Sequence, residues 1–341
     1  MQPRAAAGIG NAMGIRILGM GSYVPPLTVD NEAFTSFLDT SDEWITTRSG
    51  IKTRHVADGE LTVEMGVKAA RKALEDAGID PQEVDLILFS SVTADFYTPS
   101  MACIAQGMLG IQECMAIDLN CACAGCVYAI DMARRYLATG DVKKVLVICA
   151  ERLSQICNYE DRSTCVLFGD GAAAYLLEGA DTLYTSYMGA DGTGDHLLFA
   201  KKPELKTVFM QNDPAPLPEG YPDWPDGFVY MDGREVYKFA TRVMPHAVEK
   251  AAEKAGIPTE SIDLLIPHQA NIRIIKTAAQ KLHIPMEKVF CNLDKYANTS
   301  SASIPLACEE ARRLGRMPQG SRVCLVGFGA GLTYGAIIFD V

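Results

Sequence analysis

No apolar run in this 341-residue chain reaches the roughly 18 to 20 residues needed to cross a bilayer. The apolar-looking N-terminus is interrupted by Asn11 and Arg16, so neither a membrane span nor a signal peptide is read there, and residues 1–12 are taken as a flexible leader. Positive charge is also short. With 31 Lys and Arg against 42 Asp and Glu, the net charge is −11, which leaves no broad basic surface to replace phosphate counterions and argues against a nucleic-acid partner. Any acidic partner has to meet a local basic patch. Cysteine is not scarce, but its 11 copies are an odd number scattered through apolar stretches such as 145-VLVICA-150. That usage fits reduced thiols in a cytoplasm, not a disulfide framework. The densest group, Cys121, Cys123 and Cys126 in 120-NCACAGCVYAI-130, has no second Cys or His pair nearby, so a four-ligand metal site is not expected.

What the chain does contain is a repeat. The segment 72-KALEDAGIDPQEVDLIL-88 lies without a gap over 250-KAAEKAGIPTESIDLLI-266, an offset of 178 that takes Asp85 to Asp263. The same offset pairs Asn120 with Asn298 and 133-ARR-135 with 311-ARR-313. Two related halves are expected, 13–180 and 181–341.

Each half reads as alternating helices and buried strands. Val63, Val67, Ala70, Leu74 and Ala77 form the apolar stripe of a helix that Gly78 can stop in a left-handed conformation. The runs 85-DLILFSSV-92, 115-MAIDLN-120 and 143-KKVLVICAE-151 read as strands, and a helix of small residues begins near Ala124. The class is therefore α/β with covered sheets. In the second half Pro245 is expected to kink the matching helix or delay its start. The Pro-rich region 201–230 has no period and reads as a long surface excursion.

Among the three clustered thiols, Cys121 and Cys126 read as small buried residues. Cys123 falls at a strand-to-helix junction, where free backbone N–H groups and the helix dipole favour a thiolate, and Ala124 and Gly125 leave room for a substrate. His268, in 266-IPHQANIRI-274, follows the strand equivalent to 85-DLIL-88, and Asn298, in 296-YANTSSASIP-305, occupies the junction equivalent to that of Cys123. Ligands of doubly wound sheets gather outside the carboxyl ends of strands. A pseudo-twofold arrangement then brings Cys123, His268 and Asn298 to one cleft. The glycines of 327-GFGAGLTYG-335 follow an apolar strand and lack a Lys-Ser/Thr ending, so they read as a place of close backbone approach to substrate, not a phosphate loop.

Together DLNCACAG, PHQANIRI, YANTSSASIP and GFGAGLTYG resemble, in order, the active-site motifs of the β-ketoacyl-ACP synthase III family. The resemblance runs from about Gly14 to the end of the chain. It implies a thiolase-like αβαβα fold, a cytoplasmic homodimer, and an acyltransferase that condenses acyl-CoA with malonyl-ACP to initiate type II fatty-acid synthesis, with no metal or redox cofactor and neither membrane nor nucleic acid as partner. It also implies a Cys123–His268–Asn298 triad and an oxyanion hole from the backbone N–H groups of Cys123 and Ala330. For CoA it implies Trp44 and Arg162 about the adenine, Arg48 near the phosphates and Asn271 near the pantetheine arm. Lys238, Arg273 and Lys281 match the family's docking rim for acyl carrier protein. Thr98 stands where short-primer members carry a large aromatic that limits the partner subunit's acyl pocket, so primers longer or more branched than acetyl are expected. Cys126 and Ala330 also depart from the family pattern, which bears on pocket shape. Alternatives with the same triad are an acyltransferase onto oxygen or nitrogen and a condensing enzyme for secondary-metabolite starters. A catalytically silent partner is disfavoured by the retained triad, and a thiolase by Asn at position 298.

Overall fold

The computed structural model describes residues 14–212 and 217–341; the leader read at 1–12 and residues 213–216 of the excursion lie outside it. The chain opens with strand β1 (Gly14–Tyr23), a short hairpin of β2 (Leu27–Asp30) and β3 (Thr53–Val56), and helix α1 (Asp42–Ser49) between them. Next come α2 (Thr62–Ala77), β4 (Leu86–Ser90), α3 (Met101–Leu109), β5 (Met115–Leu119), α4 (Gly125–Leu137), β6 (Lys144–Arg152) and β7 (Asp170–Ala180). Their sheet has the order β1-β7-β6-β4-β5, antiparallel from β1 to β6 and parallel from β6 through β4 to β5.

The remainder runs β8 (Tyr184–Ala190), a small pair of β9 (Leu198–Phe199) and β10 (Tyr230–Met231), α5 (Gly233–Ala255), β11 (Leu264–Pro267), α6 (Ile272–Lys281), α7 (Leu293–Tyr296), α8 (Ser303–Arg313), β12 (Arg322–Gly329) and β13 (Thr333–Asp340). Its sheet, β8-β13-β12-β11, repeats the directions of β1-β7-β6-β4. Beside β11, where the first sheet has β5, there is a single parallel bridge of Val289 to Leu265, and the residues equivalent to β5 in the repeat form the single turn of α7.

Alternation along the strands explains the layering. In β6, Val145, Val147 and Cys149 face a core shared with α4, α8 and the second sheet, while Leu146, Ile148 and Ala150 face α2 and α3. In the second sheet Leu325 and Ile337 turn inward, and Cys324, Val326 and Ile338 pack under α5 and α6. The result is five layers, helix–sheet–helix–sheet–helix, the thiolase-like αβαβα arrangement. A strand buried on both faces has no polar side to mark its period, which is why these runs are continuously apolar.

Gly78 caps α2 with a φ of +64°, as its position predicts. Pro245 does not delay the matching helix: α5 begins at Gly233 and runs through it to Ala255. All 11 cysteines are free thiols, and no group of three or more His, Cys, Asp or Glu among the described residues is arranged to hold a metal ion. Nor, among the described residues, is any helix long and apolar enough to cross a membrane.

Candidate active site

The two strand-to-helix junctions that the repeat brings together are built alike. Asn120 Oδ1 accepts the N–H of Ala122 at 3.3 Å, and Asn298 Oδ1 accepts that of Ser300 at 2.9 Å. Ala122 and Ser300, 178 positions apart, both have left-handed backbones, with φ of +46° and +48°. A non-glycine residue held in that region costs on the order of 1 kcal/mol or more, so both turns store strain that the packing around them must hold. Each turn delivers the next residue, Cys123 or Ser301, into the space between the sheets.

Cys123 lies in the 3-10 turn Ala122–Ala124, ahead of α4. Gly329, at the end of β12, packs directly on it: a Cβ built there would stand 2.5 Å from the Cys123 amide nitrogen and 3.1 Å from its Cβ. Gly329 thus makes close approach to the Cys123 backbone, while Gly329, Ala330 and Gly331 also line the cavity where close approach to substrate is expected. Burial pushes the Cys123 thiol up to about 12, and the Ser300 side chain, which favours the thiolate, does not offset that.

His268 follows β11, anchored by its N–H to the Val326 carbonyl at 2.8 Å. Its ring packs edge-on against Phe328 and is almost completely buried, and burial alone lowers it to about 3, so the imidazole is neutral at any working pH. Nδ1 meets Ser303 Oγ at 2.6 Å, and the same oxygen lies 3.3 Å from the Gln269 N–H. Ser303 accepts from Gln269 and can give its own proton to Nδ1, the arrangement that leaves the ring hydrogen on Nε2. With Oδ1 of Asn298 occupied by Ser300, its Nδ2 is left as a donor. Asn298 is tied to the first half by backbone bonds, donating to Leu167 at 3.0 Å and accepting from Gly169 at 3.1 Å. The neutral imidazole has a pH consequence. The unfolded chain protonates His268 below about 6.5 and the fold does not, so stability is lost as pH falls from there toward 3, by up to about 1.4 kcal/mol per pH unit. The difference in unfolding free energy between the native protein and His268→Gln should be constant above about 6.5 and should shift against the native protein as pH falls through that window.

Cys123, His268 and Asn298 share one cavity of about 1630 Å³, with Ala330 at the turn after β12. Of the other residues singled out in the sequence, Trp44, Arg48, Asn271, Lys238 and Arg273 line this cavity and Arg162, Thr98 and Lys281 do not. Arg162 nevertheless lies over the Trp44 ring at 4.7 Å, with Arg48 at 4.9 Å from the same ring centre, and it donates to the Asp39 carbonyl. A base between Trp44 and Arg162 needs two stacking contacts of roughly 3.5 Å each, so Arg162 has to swing out to admit one. The Asn271 side chain is already engaged, through Oδ1 with the Arg273 N–H (2.8 Å) and through Nδ2 with the Arg48 carbonyl (3.0 Å). Thr98 is exposed on the loop before α3, next to Phe96 and Tyr97, which do line the cavity. Lys281 sits at the far end of α6, donating to the Thr241 carbonyl at 2.8 Å. The excursion proves to be a wall of the cavity, through Lys202, Pro203, Tyr221 and Val229. Ser303 went unnoticed in the sequence even though it lies inside the motif that carries Asn298; its spacing from His268 has no helical or strand period to reveal it.

Fold and site define a thiolase-like enzyme whose cavity brings together a cysteine, a neutral His and an Asn. Residues 117–192 match the model of 3-oxoacyl-[acyl-carrier-protein (ACP)] synthase III, and residues 252–341 match that of its C-terminal part. The β-ketoacyl-[acyl-carrier-protein] synthase III of Clostridium acetobutylicum is 44% identical over 326 residues, covering 95% of this chain and 98% of that protein. The crystal structure of the 3-oxoacyl-[acyl-carrier-protein] synthase III of Aquifex aeolicus superposes with a TM-score of 0.87 at 41% identity, over 96% of this chain and all of that one. The priming β-ketosynthase of the R1128 polyketide biosynthetic pathway superposes at 0.85 with 34% identity, over 98% and 99%. The chain belongs to the β-ketoacyl-[acyl-carrier-protein] synthase III family.

Proposed function

We propose that this enzyme condenses an acyl-CoA primer with malonyl-ACP, giving a β-ketoacyl-ACP and initiating type II fatty-acid synthesis. The convergence of Cys123, His268 and Asn298 on one cavity carries the reading. Cys123 Sγ attacks the primer thioester, the new C–S bond forms as the bond to the CoA sulfur breaks, and the thiol proton leaves with CoA as CoA-SH; the N–H groups of Cys123 and Ala330 receive the oxyanion. Malonyl-ACP then loses carbon dioxide, and the enolate oxygen accepts from His268 Nε2–H and Asn298 Nδ2. The enolate carbon attacks acyl-Cys123 and expels the thiolate. A neutral imidazole can donate without quenching the carbanion, and Asn cannot titrate. No metal or redox cofactor enters.

In this reading 13–180 is the half that supplies the nucleophile and 181–341 the half that supplies the donors. Trp44, Arg48, Arg162 and Asn271 serve CoA, and Lys238, Arg273 and Lys281 serve the acidic carrier protein on a chain otherwise acidic overall. A homodimer is supported by β5, an edge strand with an exposed Met115 that a second copy would cover, and the free thiols fit a cytoplasm. Thr98, on the exposed loop before α3, would reach the partner's acyl pocket and, being small, leave it deep. The second reading, a starter enzyme for a polyketide, draws on the likeness to the R1128 priming synthase.

The test is incubation with malonyl-ACP and acyl-CoAs from acetyl to long and branched, following carbon dioxide and acyl-enzyme mass, with Cys123→Ala as control. Condensation lost in the variant and greatest with primers beyond acetyl is expected. Acyl-Cys123 without carbon dioxide would mean transfer to another acceptor, and turnover falling steadily from acetyl would refute the deep pocket.

A further inference from the structure

One titratable group beside the nucleophile takes no part in that mechanism. Glu151, near the end of β6, is completely buried, and no Lys, Arg or His among the described residues pairs with it. Its neighbour Arg152 is turned away, with its guanidinium on the Glu60 carbonyl and Gln155. Oε2 receives three donors: the Val92 N–H at 3.0 Å, Thr93 Oγ at 2.8 Å and Ser91 Oγ at 3.2 Å. Thr93 Oγ already accepts the Arg152 N–H, and Ser91 Oγ the Thr93 N–H, so both hydroxyl protons are free to point at Oε2. Oε1 has one partner, Ser301 Oγ at 2.6 Å, and Ser301 Oγ has a second acceptor within reach, the Ser90 carbonyl at 3.3 Å. With no cation to pair it, and with Ser301 Oγ able to turn its own proton to the Ser90 carbonyl, Oε1 can keep a proton and donate it to Ser301.

Position supports a role in holding the site. Ser301 lies 178 positions after Cys123, and Gly329, which packs on Cys123, lies 178 after Glu151. Ser301 also belongs to the turn that carries Asn298 into the cavity. At the start of α4, a Cβ on Gly125 would fall 2.0 Å from Ser90 Oγ and 3.3 Å from the Ser301 Cβ, so these segments meet beside the nucleophile.

We propose that Glu151 is a positioning residue carried as a neutral carboxylic acid, whose Oε1 proton bridges to Ser301 and clamps the Asn298 turn of one half to the Ser91–Thr93 turn of the other. Burial raises its carboxyl, which accords with a retained proton. A neutral acid makes this link without setting a negative charge beside Cys123. The other charged groups near it are few: Arg152 on its own strand and Asp170 on β7, the latter held by the Ala57 N–H and Ser154. The turn Ser300–Ala302 carries none, and Asp95, beyond the Ser91–Thr93 turn, is directed to the first N–H groups of α2.

Two readouts test this without depending on the condensation reading. In native protein labelled with 13C at the glutamate carboxyl, one resonance should keep the position of a protonated acid through neutral pH; its absence overturns the proposal and requires no folded variant. In Glu151→Gln, whose amide also donates to Ser301, the pH midpoint for iodoacetamide alkylation of Cys123, read on its peptide by mass, should match the native one. A fall of about one pH unit or more means a charge was removed and overturns it. A third readout rests on the proposed condensation: Glu151→Ala should lose about 100-fold in kcat with little change in primer KM, largely recovered in Glu151→Gln. An unchanged kcat in the alanine variant would show that the clamp positions nothing.

Discussion

His268→Ala and Asn298→Ala are each expected to cut condensation by about 100- to 1,000-fold while leaving acylation of Cys123 by acyl-CoA largely intact, the scale of removing one preorganised donor from a developing oxyanion. The split follows from where the donors sit. Both belong to the second half, and the acylation oxyanion is assigned to backbone N–H groups that neither substitution removes. Acyl-enzyme mass and carbon dioxide release, measured on the same samples, separate the two steps. The double variant should fall well short of the product of the singles, since two donors on one oxygen act as a unit. Because burial lowers His268 to about 3, neither limb of the pH profile between 5 and 8 should come from this imidazole. If Asn298→Ala slowed acylation as much as condensation, the assignment of the enolate to Asn298 would be wrong.

Gly329→Ala is expected to be as damaging, though the position carries no chemistry of its own. Its Cβ would stand 2.5 Å from the Cys123 nitrogen and 3.1 Å from both the Cys123 and Ala122 Cβ atoms, too close for any relaxed structure. Either β12 or the strained turn must move. Overpacking of this kind costs about 1–3 kcal/mol, and a shift of about 1 Å in the nucleophile can remove 100-fold in rate. Turnover should therefore drop by that order with a modest fall in Tm. Gly107→Ala, in α3 with nothing within 4 Å of its added Cβ, is the control and should leave turnover unchanged while adding slightly to stability. Native turnover in Gly329→Ala would show that Cys123 is not held by this contact.

Periodic features were the legible part of the fold. The helix over Val63–Ala77, its glycine stop and the three apolar strands of the first half lie within two residues of where their patterns put them, because burial on a repeating face imposes a repeating sequence. The junction of Cys123 and the meeting of Cys123, His268 and Asn298 also followed from the repeat. Single residues whose importance is one contact remained hidden. Ser303 matters through one oxygen 2.6 Å from His268, and Glu151 through a set of hydroxyls drawn from two segments. The offset did contain part of that information, since it places Glu151 opposite Gly329. The burial of Cys123 was not legible for a physical reason: helix-end effects can be inferred from order along the chain, but desolvation depends on everything that packs around the atom.

The paired left-handed turns have a consequence for how this scaffold can change. Each fixes the position of the residue after it through the backbone, so the side chain delivered there is free to differ, and in fact it does: cysteine in one copy, serine in the other. The copies have divided their labour at a single equivalent point, one presenting a reactive sulfur and the other an internal brace. New reactivity in such an architecture can arise by exchanging a side chain at an inherited address, without rebuilding the frame that defines it.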